Sequence, residues 1–306
     1  MDTFINLVVT VTLLEMSVAI GLRVTVSELL AVARNSGLVF RAAVANYVCV
    51  PAATAGLLYV FDAPPLVAAG FMILAACPGA PFGPPLAGLA RGQVSAAVGL
   101  MVLLAGSSAI VSPFLLKGLL ATVAGDSEIA IDSAKIVRTL LVTQLLPLSV
   151  GIGVRALKPD WAARIEGVAS RISSVLNLLA VGLILFANFP LLAQIRPRGF
   201  FAMSLLLVAF WASGWWLGGP DAALRRTLLL VTSLRNISVG LVVATGAFAR
   251  TPAVTAVVAF GVVSLLGTSL LAAVMRKMTA PPSHDGSSPA RDEGGSESDR
   301  DRNAVC

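Results

Sequence analysis

The sequence predicts an all-α polytopic membrane protein of nine transmembrane helices, an inverted-repeat transporter fold in which two broken helices cross. Three observations predict it. The 306 residues are 57% hydrophobic and 12% charged, with a mean hydropathy of +0.89, against about 25% charged residues in a soluble domain. Apolar runs of the roughly 20 residues that span a bilayer recur through the first 277 positions. Two of these runs are interrupted, one by prolines and glycines between Cys77 and Pro85 and one by the arginine at 235.

In chain order the expected spans lie near residues 4–22, 37–61, 66–90, 93–120, 135–157, 168–191, 199–217, 224–248 and 252–275. The first follows Met1-Asp2-Thr3, which has no basic character, and no cleavage site precedes Arg23. It reads as a retained span rather than a signal peptide. Nine spans put the termini on opposite sides. With the N-terminus outside, the inner loops carry twelve basic residues: Arg23, Arg34, Arg41, Arg91, Arg155, Lys158, Arg164, Arg171, Arg225, Arg226, Arg276 and Lys277. The outer loops carry six, Lys117, Lys135, Arg138, Arg196, Arg198 and Arg250, and also Asp126, Glu128 and Asp132. The positive-inside rule then favours N-out and C-in, for a multi-pass protein of the cell membrane. After the transporter domain, 1–277, the composition turns to Ser, Gly, Asp, Glu and Arg, so 278–306 is expected as a disordered cytoplasmic tail. His284 falls there, a poor place for a catalytic base, and Cys49, Cys77 and Cys306 have neither disulfide nor metal spacing.

The third span carries Cys77-Pro78-Gly79-Ala80-Pro81-Phe82-Gly83-Pro84-Pro85, four prolines and two glycines in nine positions. Each proline lacks an N–H and clashes with the preceding turn, so the helix must unwind. Unwound backbone at membrane depth persists only where protein or a watery cavity covers it. Broken helices of this kind build transporter substrate sites near the midplane, which makes Pro81, Phe82, Gly83 and Pro84 candidate binding residues. The second interruption, Ser233-Leu234-Arg235-Asn236, falls in the eighth span, five spans later. An odd offset makes the two elements run in opposite directions, as in an inverted repeat with spans 1–4 matching spans 6–9.

Arg235 costs about 3 kcal/mol to insert near a helix centre. It binds an anionic substrate, neutralises an internal carboxylate, or caps the carbonyls of a helix break. Glu15 is the acidic residue well inside a span and the natural candidate partner; facing a cavity instead, it would couple transport to a proton, and as a third alternative it hydrogen-bonds to a neighbouring helix. Asn46 and Asn236 are candidate substrate ligands or caps for unwound ends. Gln144 is a weaker candidate of the same kind, and Ser107, Ser108 and Ser112 are expected to bond to carbonyls of their own helix. No nucleotide, zinc-protease or hydrolase motif occurs in a suitable context, so no enzyme, cofactor or metal site is expected. The scattered basic residues lack the aromatic interleaving of a nucleic-acid binder. The expected partners are the lipid bilayer and a small organic anion, with the chain a monomer or weak homodimer.

Several of these segments resemble the bile acid:sodium symporter family. Ala76-Cys77-Pro78-Gly79 followed by Leu89-Ala90-Arg91-Gly92-Gln93-Val94 is similar to the family's CPGG and LARGDVALS segments at the same separation. Gly21-Leu22-Arg23-Val24 with Glu28 is similar to its glycine-leucine stretch, and Asn46, Tyr47 and Pro51 to its glutamine-phenylalanine and later proline. The resemblance implies a panel domain and a core domain, two crossing unwound helices at spans 3 and 8, and sodium-coupled alternating access for organic anions. The departures are specific. Where the family's first sodium site uses a TASN stretch, this chain has Pro81-Phe82-Gly83-Pro84, and the positions of further hydroxyl ligands are Ala97 and Met101. The acidic residue joining both sodium sites falls at Val231 and the following glutamine at Arg235. The expected function is secondary transport of a carboxylate or sulfonate, sodium-independent, with Arg235 supplying the positive charge and Phe82, Leu86 and Met101 lining the pocket. The alternatives are a sodium- or proton-coupled symporter of the same substrates and a non-transporting scaffold or sensor.

Overall fold

The structure, a computed structural model, describes residues 2–121, 138, 141–192, 195–248 and 251–278. The loop with Asp126, Glu128, Asp132 and Lys135, and the tail with His284 and Cys306, lie outside the described residues. Among those described, every regular element is helical.

Helix α1 (Asp2–Arg23) ends at Arg23, and the chain turns by 82° into α2 (Val26–Arg34). A capping box starts α2: the Thr25 hydroxyl accepts from Glu28 N, and the Glu28 carboxylate accepts from Thr25 N at 3.0 Å. The sequence carries that signal in Thr25-Val26-Ser27-Glu28, inside what was expected to be a plain loop. α3 (Ser36–Val44) passes through a π-helical turn at Ala45–Cys49 into α4 (Val50–Val60). The third span is two half-helices, α5 (Pro65–Ala75) and α6 (Gly83–Leu89), and α7 (Val94–Ala121) follows unbroken through Pro113. A second π-helical turn, Leu141–Leu145, leads into α8 (Leu146–Leu157). α9 (Pro159–Leu192) begins nine residues before the expected span, with Pro159 at a favourable start and Asp160 in its first turn. α10 (Pro197–Leu217), the half-helices α11 (Ala222–Ser233) and α12 (Ile237–Ala247), and α13 (Pro252–Met278) complete the described chain.

Five helices among the described residues are long and apolar enough to cross a membrane, or six if α1 and α2 count as one bent span. The expected count of nine is therefore not read directly from long helices. The third span divides into pieces of 11 and 7 residues, and α8 with its π turn is one of the shorter apolar segments. Large apolar side chains such as Phe40, Phe114, Phe186 and Trp216 stay exposed on the outer faces. Lipid solvates such a surface as well as protein does, so burial here follows helix packing and not hydropathy.

The helices pack in two groups. α1, α8 and α9 form one; α3–α4, α5, α6, α7, α10, α11, α12 and α13 form the other, with α2 against α7 and with α1 also packed on α12. In the first group α1 and α8 cross at Gly21 and Gly151, whose backbones approach so closely that a Cβ on Gly151 would meet the Val18 carbonyl and come within 2.9 Å of Gly21 Cα. In the second, Phe210 on α10 meets Phe260 on α13 edge-on at 5.5 Å, and Phe71 on α5 packs on the same ring at 5.5 Å. This aromatic cluster fixes α5 beside α13 and, as shown below, lies under Arg235.

Replacing Gly151 with Ala should destabilise the protein by about 1–3 kcal/mol, the usual cost of overpacking. Gly153, one turn position away with nothing within 4 Å of its missing Cβ, should accept Ala without loss. Thermal unfolding of the two detergent-solubilised variants beside the parent separates the two outcomes.

Candidate functional site

α5 stops at Ala75 because Pro78 cannot donate to a continuing helix and Gly79 turns the chain with φ +88°. Gly79 also lies 2.7 Å, measured from an added Cβ, from the Ala105 backbone on α7, so only glycine fits. An abrupt helix end exposes carbonyls that the low-dielectric interior cannot leave unpaired. Each carbonyl from Leu74 to Cys77 finds a donor. Leu74 O accepts from Cys77 N at 3.1 Å and from Arg235 Nε at 3.2 Å. Ala75 O accepts from Arg235 Nη2 at 2.5 Å, Ala76 O from Ser112 Oγ at 2.5 Å, and Cys77 O from Asn236 N at 2.9 Å.

The two breaks therefore meet, and Arg235 is the tie between them. It is 2% exposed. Its Nη1 donates to Asn46 Oδ1 at 2.7 Å and to Thr232 O at 3.2 Å, near the end of α11. Its guanidinium carbon lies 5.9 Å from the centre of the Phe210 ring. The C-termini of α5 and α11 thus converge on one cation, which suits the negative ends of their dipoles. Asn46 is turned inward by the π turn, in which Val50 N bonds back to Ala45 O, and its Nδ2 donates to Ala42 O at 2.9 Å and Thr232 Oγ1 at 3.3 Å. Asn236 caps α12, its Oδ1 accepting from Val239 N at 3.2 Å.

Glu15 takes no part in this. Its carboxylate accepts from Ser173 Oγ on α9 at 2.6 Å, so the expected neutralising pair with Arg235 does not form; the oxygens that hold the guanidinium are carbonyl and amide oxygens. Ser112 also differs from expectation, because its hydroxyl crosses to Ala76 O instead of bonding within α7, while Ser107 and Ser108 do bond to Leu104 O and Ala105 O of their own helix. Gln144, on the second π turn, donates to Ala105 O at 2.8 Å, and its Oε1 has no partner among the described residues.

Two adjoining cavities lie between α1 and α9 on one side and the third span on the other. The larger, 590 Å³, is lined by Arg23, Glu28, Pro81, Pro84, Met101 and Glu166 among others. The smaller, 190 Å³, reaches Met16, Phe82, Ser170 and Ser173. Of the expected substrate residues, Pro81, Phe82 and Pro84 face these cavities. Arg235, Asn236 and Asn46 line neither and sit behind them in the crossing, and Gly83 packs toward Val231. Leu86 lines neither cavity, whereas Met101 lines the larger. Sequence reasoning missed Arg23 and Glu166, which form an ion pair at 3.1 Å on the cavity wall. The capping contacts from Thr25 hold the Glu28 carboxyl below its usual range, with Arg155 nearby adding to the effect.

Crossed half-helices with satisfied breaks and a cavity beside them, in a chain of long apolar helices, define a multi-pass membrane transporter. A model of the sodium bile acid symporter family matches residues 10–195, more than half of the chain, and the protein belongs to that family. The match ends before α10, so the first break lies within it and Arg235 beyond it. No curated protein matches the chain.

Replacing Arg235 with Gln strands the Ala75 carbonyl and the Asn46 amide oxygen and leaves Leu74 O with Cys77 N alone, and should cost about 3–5 kcal/mol. Ser112→Ala should cost about 1–2 kcal/mol through the Ala76 carbonyl. Because Glu15 bonds elsewhere, Glu15→Gln should add to the Arg235→Gln loss instead of relieving it. Thermal unfolding of the single and double variants checks all three; recovery in the Glu15/Arg235 double would contradict the geometry.

Proposed function

We propose that the protein is a secondary transporter of organic anions, carboxylates or sulfonates, that works by alternating access without sodium coupling. The observation that carries this reading is Arg235. Its guanidinium is held by carbonyl oxygens at the ends of two half-helices, the kind of oxygen set that binds a sodium ion in transporters of this construction. A tethered cation at that place supplies charge permanently, and no ion need bind to complete the crossing. The side chains that the resemblance aligns with sodium ligands agree: Ala97, Met101 and Val231 are buried and apolar, and Pro81-Phe82-Gly83-Pro84 offers no side-chain oxygen. On this reading Arg235 acts on the substrate through its field and by rigidifying the crossing, while Pro81, Phe82 and Pro84 touch it.

The same reading takes the third and eighth spans as matching members of an inverted repeat. The support is the pairing of halves: α5 packs with α12 and α6 with α11, as antiparallel broken helices would. The twelve-to-six distribution of basic residues supports the N-out, C-in orientation in the cell membrane. Proton coupling through Glu15 is a second reading. What favours it is Ser173, which lines the smaller cavity and donates to the Glu15 carboxylate, one hydrogen bond from the solvent path.

Uptake of cholate or taurocholate into proteoliposomes should be unchanged when sodium is replaced by potassium or choline. A steep sodium requirement would overturn the sodium-independent reading. An imposed pH gradient that drives uptake in the parent but not in Glu15→Gln would instead establish the proton-coupled form.

A further inference from the structure

Any anion that enters the cavities needs donors, and the crossing has few to give. Arg235 is buried, and its Nε, Nη1 and Nη2 each bond to a carbonyl or amide oxygen. At the start of α6, Pro84 and Pro85 have no N–H, while Gly83 N bonds to Ala80 O and Leu86 N to Phe82 O, both at 3.2 Å. The first residues of α6 therefore offer no free backbone N–H to an anion.

Arg23 is different. It is the basic residue that lines both cavities, its side chain is 48% exposed, and it meets Glu166 through Nε alone. A carboxylate or sulfonate that fits a guanidinium takes two parallel N–H bonds, so the pair with Glu166 leaves the better geometry unused. Ion pairs this exposed are weakly held and exchange readily. A second cation stands close by. Arg155, one turn beyond the Gly151 that packs on Gly21, has Nε and Nη1 buried without a hydrogen-bond partner among the described residues, and its field reaches Glu28 on the cavity wall. The remaining walls combine apolar side chains, Ile20, Pro81, Phe82, Val98 and Met101, with the hydroxyls of Ser95, Ser170 and Ser173 and the Glu28 carboxylate.

We propose that Arg23 is the recognition point for the substrate's carboxylate or sulfonate, which displaces Glu166 from the guanidinium, and that the ligand is an amphipathic anion whose apolar body lies against the proline-rich break. This rests on the anion-transport reading above. Glu166 is then an internal stand-in for the substrate: it neutralises Arg23 in the empty cavity and competes with the ligand for it. Arg155 adds positive potential behind the site.

The test is equilibrium binding of radiolabelled taurocholate, below micelle formation, to the full-length protein in nanodiscs, with uptake measured in parallel. Arg23→Gln should raise Kd at least tenfold, Arg23→Lys less, and Glu166→Gln should lower Kd several-fold. The double Arg23→Gln/Glu166→Gln should bind as weakly as Arg23→Gln. If the ion pair is merely structural, the double will regain parental affinity and thermal stability, and the proposal is overturned. It is equally overturned if Arg23→Gln binds like the parent, or if Glu166→Gln weakens binding, which would mean that the carboxylate serves a cation. Should the parent neither bind nor take up taurocholate, the amphipathic-anion inference is overturned, and uptake of a small carboxylate or sulfonate in the same assay then decides whether the anion-transport reading stands.

Discussion

The crossing depends on one interaction, a guanidinium bound by the carbonyls of a helix that ends inside the bilayer. Neither partner would be tolerable alone. A broken helix end in hydrocarbon costs several kcal/mol for each unpaired carbonyl, and a lone arginine costs a comparable amount. Together each supplies what the other lacks. Arg235 reaches Leu74 and Ala75 on one half-helix and Thr232 on the other, with Asn46 completing the set. The next two carbonyls, of Ala76 and Cys77, are taken by Ser112 and by the Asn236 backbone, so the carbonyls from Leu74 to Cys77 are all bonded without a counter-carboxylate.

That arrangement places constraints on its surroundings. Asn46 must point inward, which the π turn before Pro51 achieves. Gly79 must lie against α7, because any side chain there would strike Ala105. Phe210 presents its ring to the guanidinium and at the same time joins the aromatic cluster with Phe260 and Phe71, so the packing of α5, α10 and α13 is coupled to the charge. The cavities lie between α1 and α9 on one side and the third span on the other.

The match to the sodium bile acid symporter family ends at residue 195, so it covers the first helix break but not the second, where Arg235 lies. The positions that the resemblance aligns with ion ligands carry Ala97, Met101 and Val231, residues with no oxygen to offer. A fold defined by two helix breaks needs some cation or donor set where the helix ends converge. Here the covalently attached guanidinium of Arg235 binds the carbonyls at those ends, which is the basis of the proposed sodium-independent reading.

The sequence by itself determined the membrane class, the two interruptions and the odd charge in the eighth span, because proline, glycine and arginine act locally on helix geometry and insertion cost. It also carried the capping box of α2 in Thr25 and Glu28, although in a stretch expected to be loop. What it left open was direction. Whether Glu15 faced Arg235 or Ser173, and whether Ser112 bonded to its own helix or to Ala76, are questions of helix rotation and tilt. Apolar residues on all sides give a membrane helix no amphipathic stripe to reveal that rotation. The cavity with Arg23 and Glu166, and Arg155 near it, was equally hidden, since those residues come from α1, α9 and α8 and read in sequence as ordinary loop charges. Only the close crossing at Gly21 and Gly151, a contact between distant parts of the chain, brings these helix ends together.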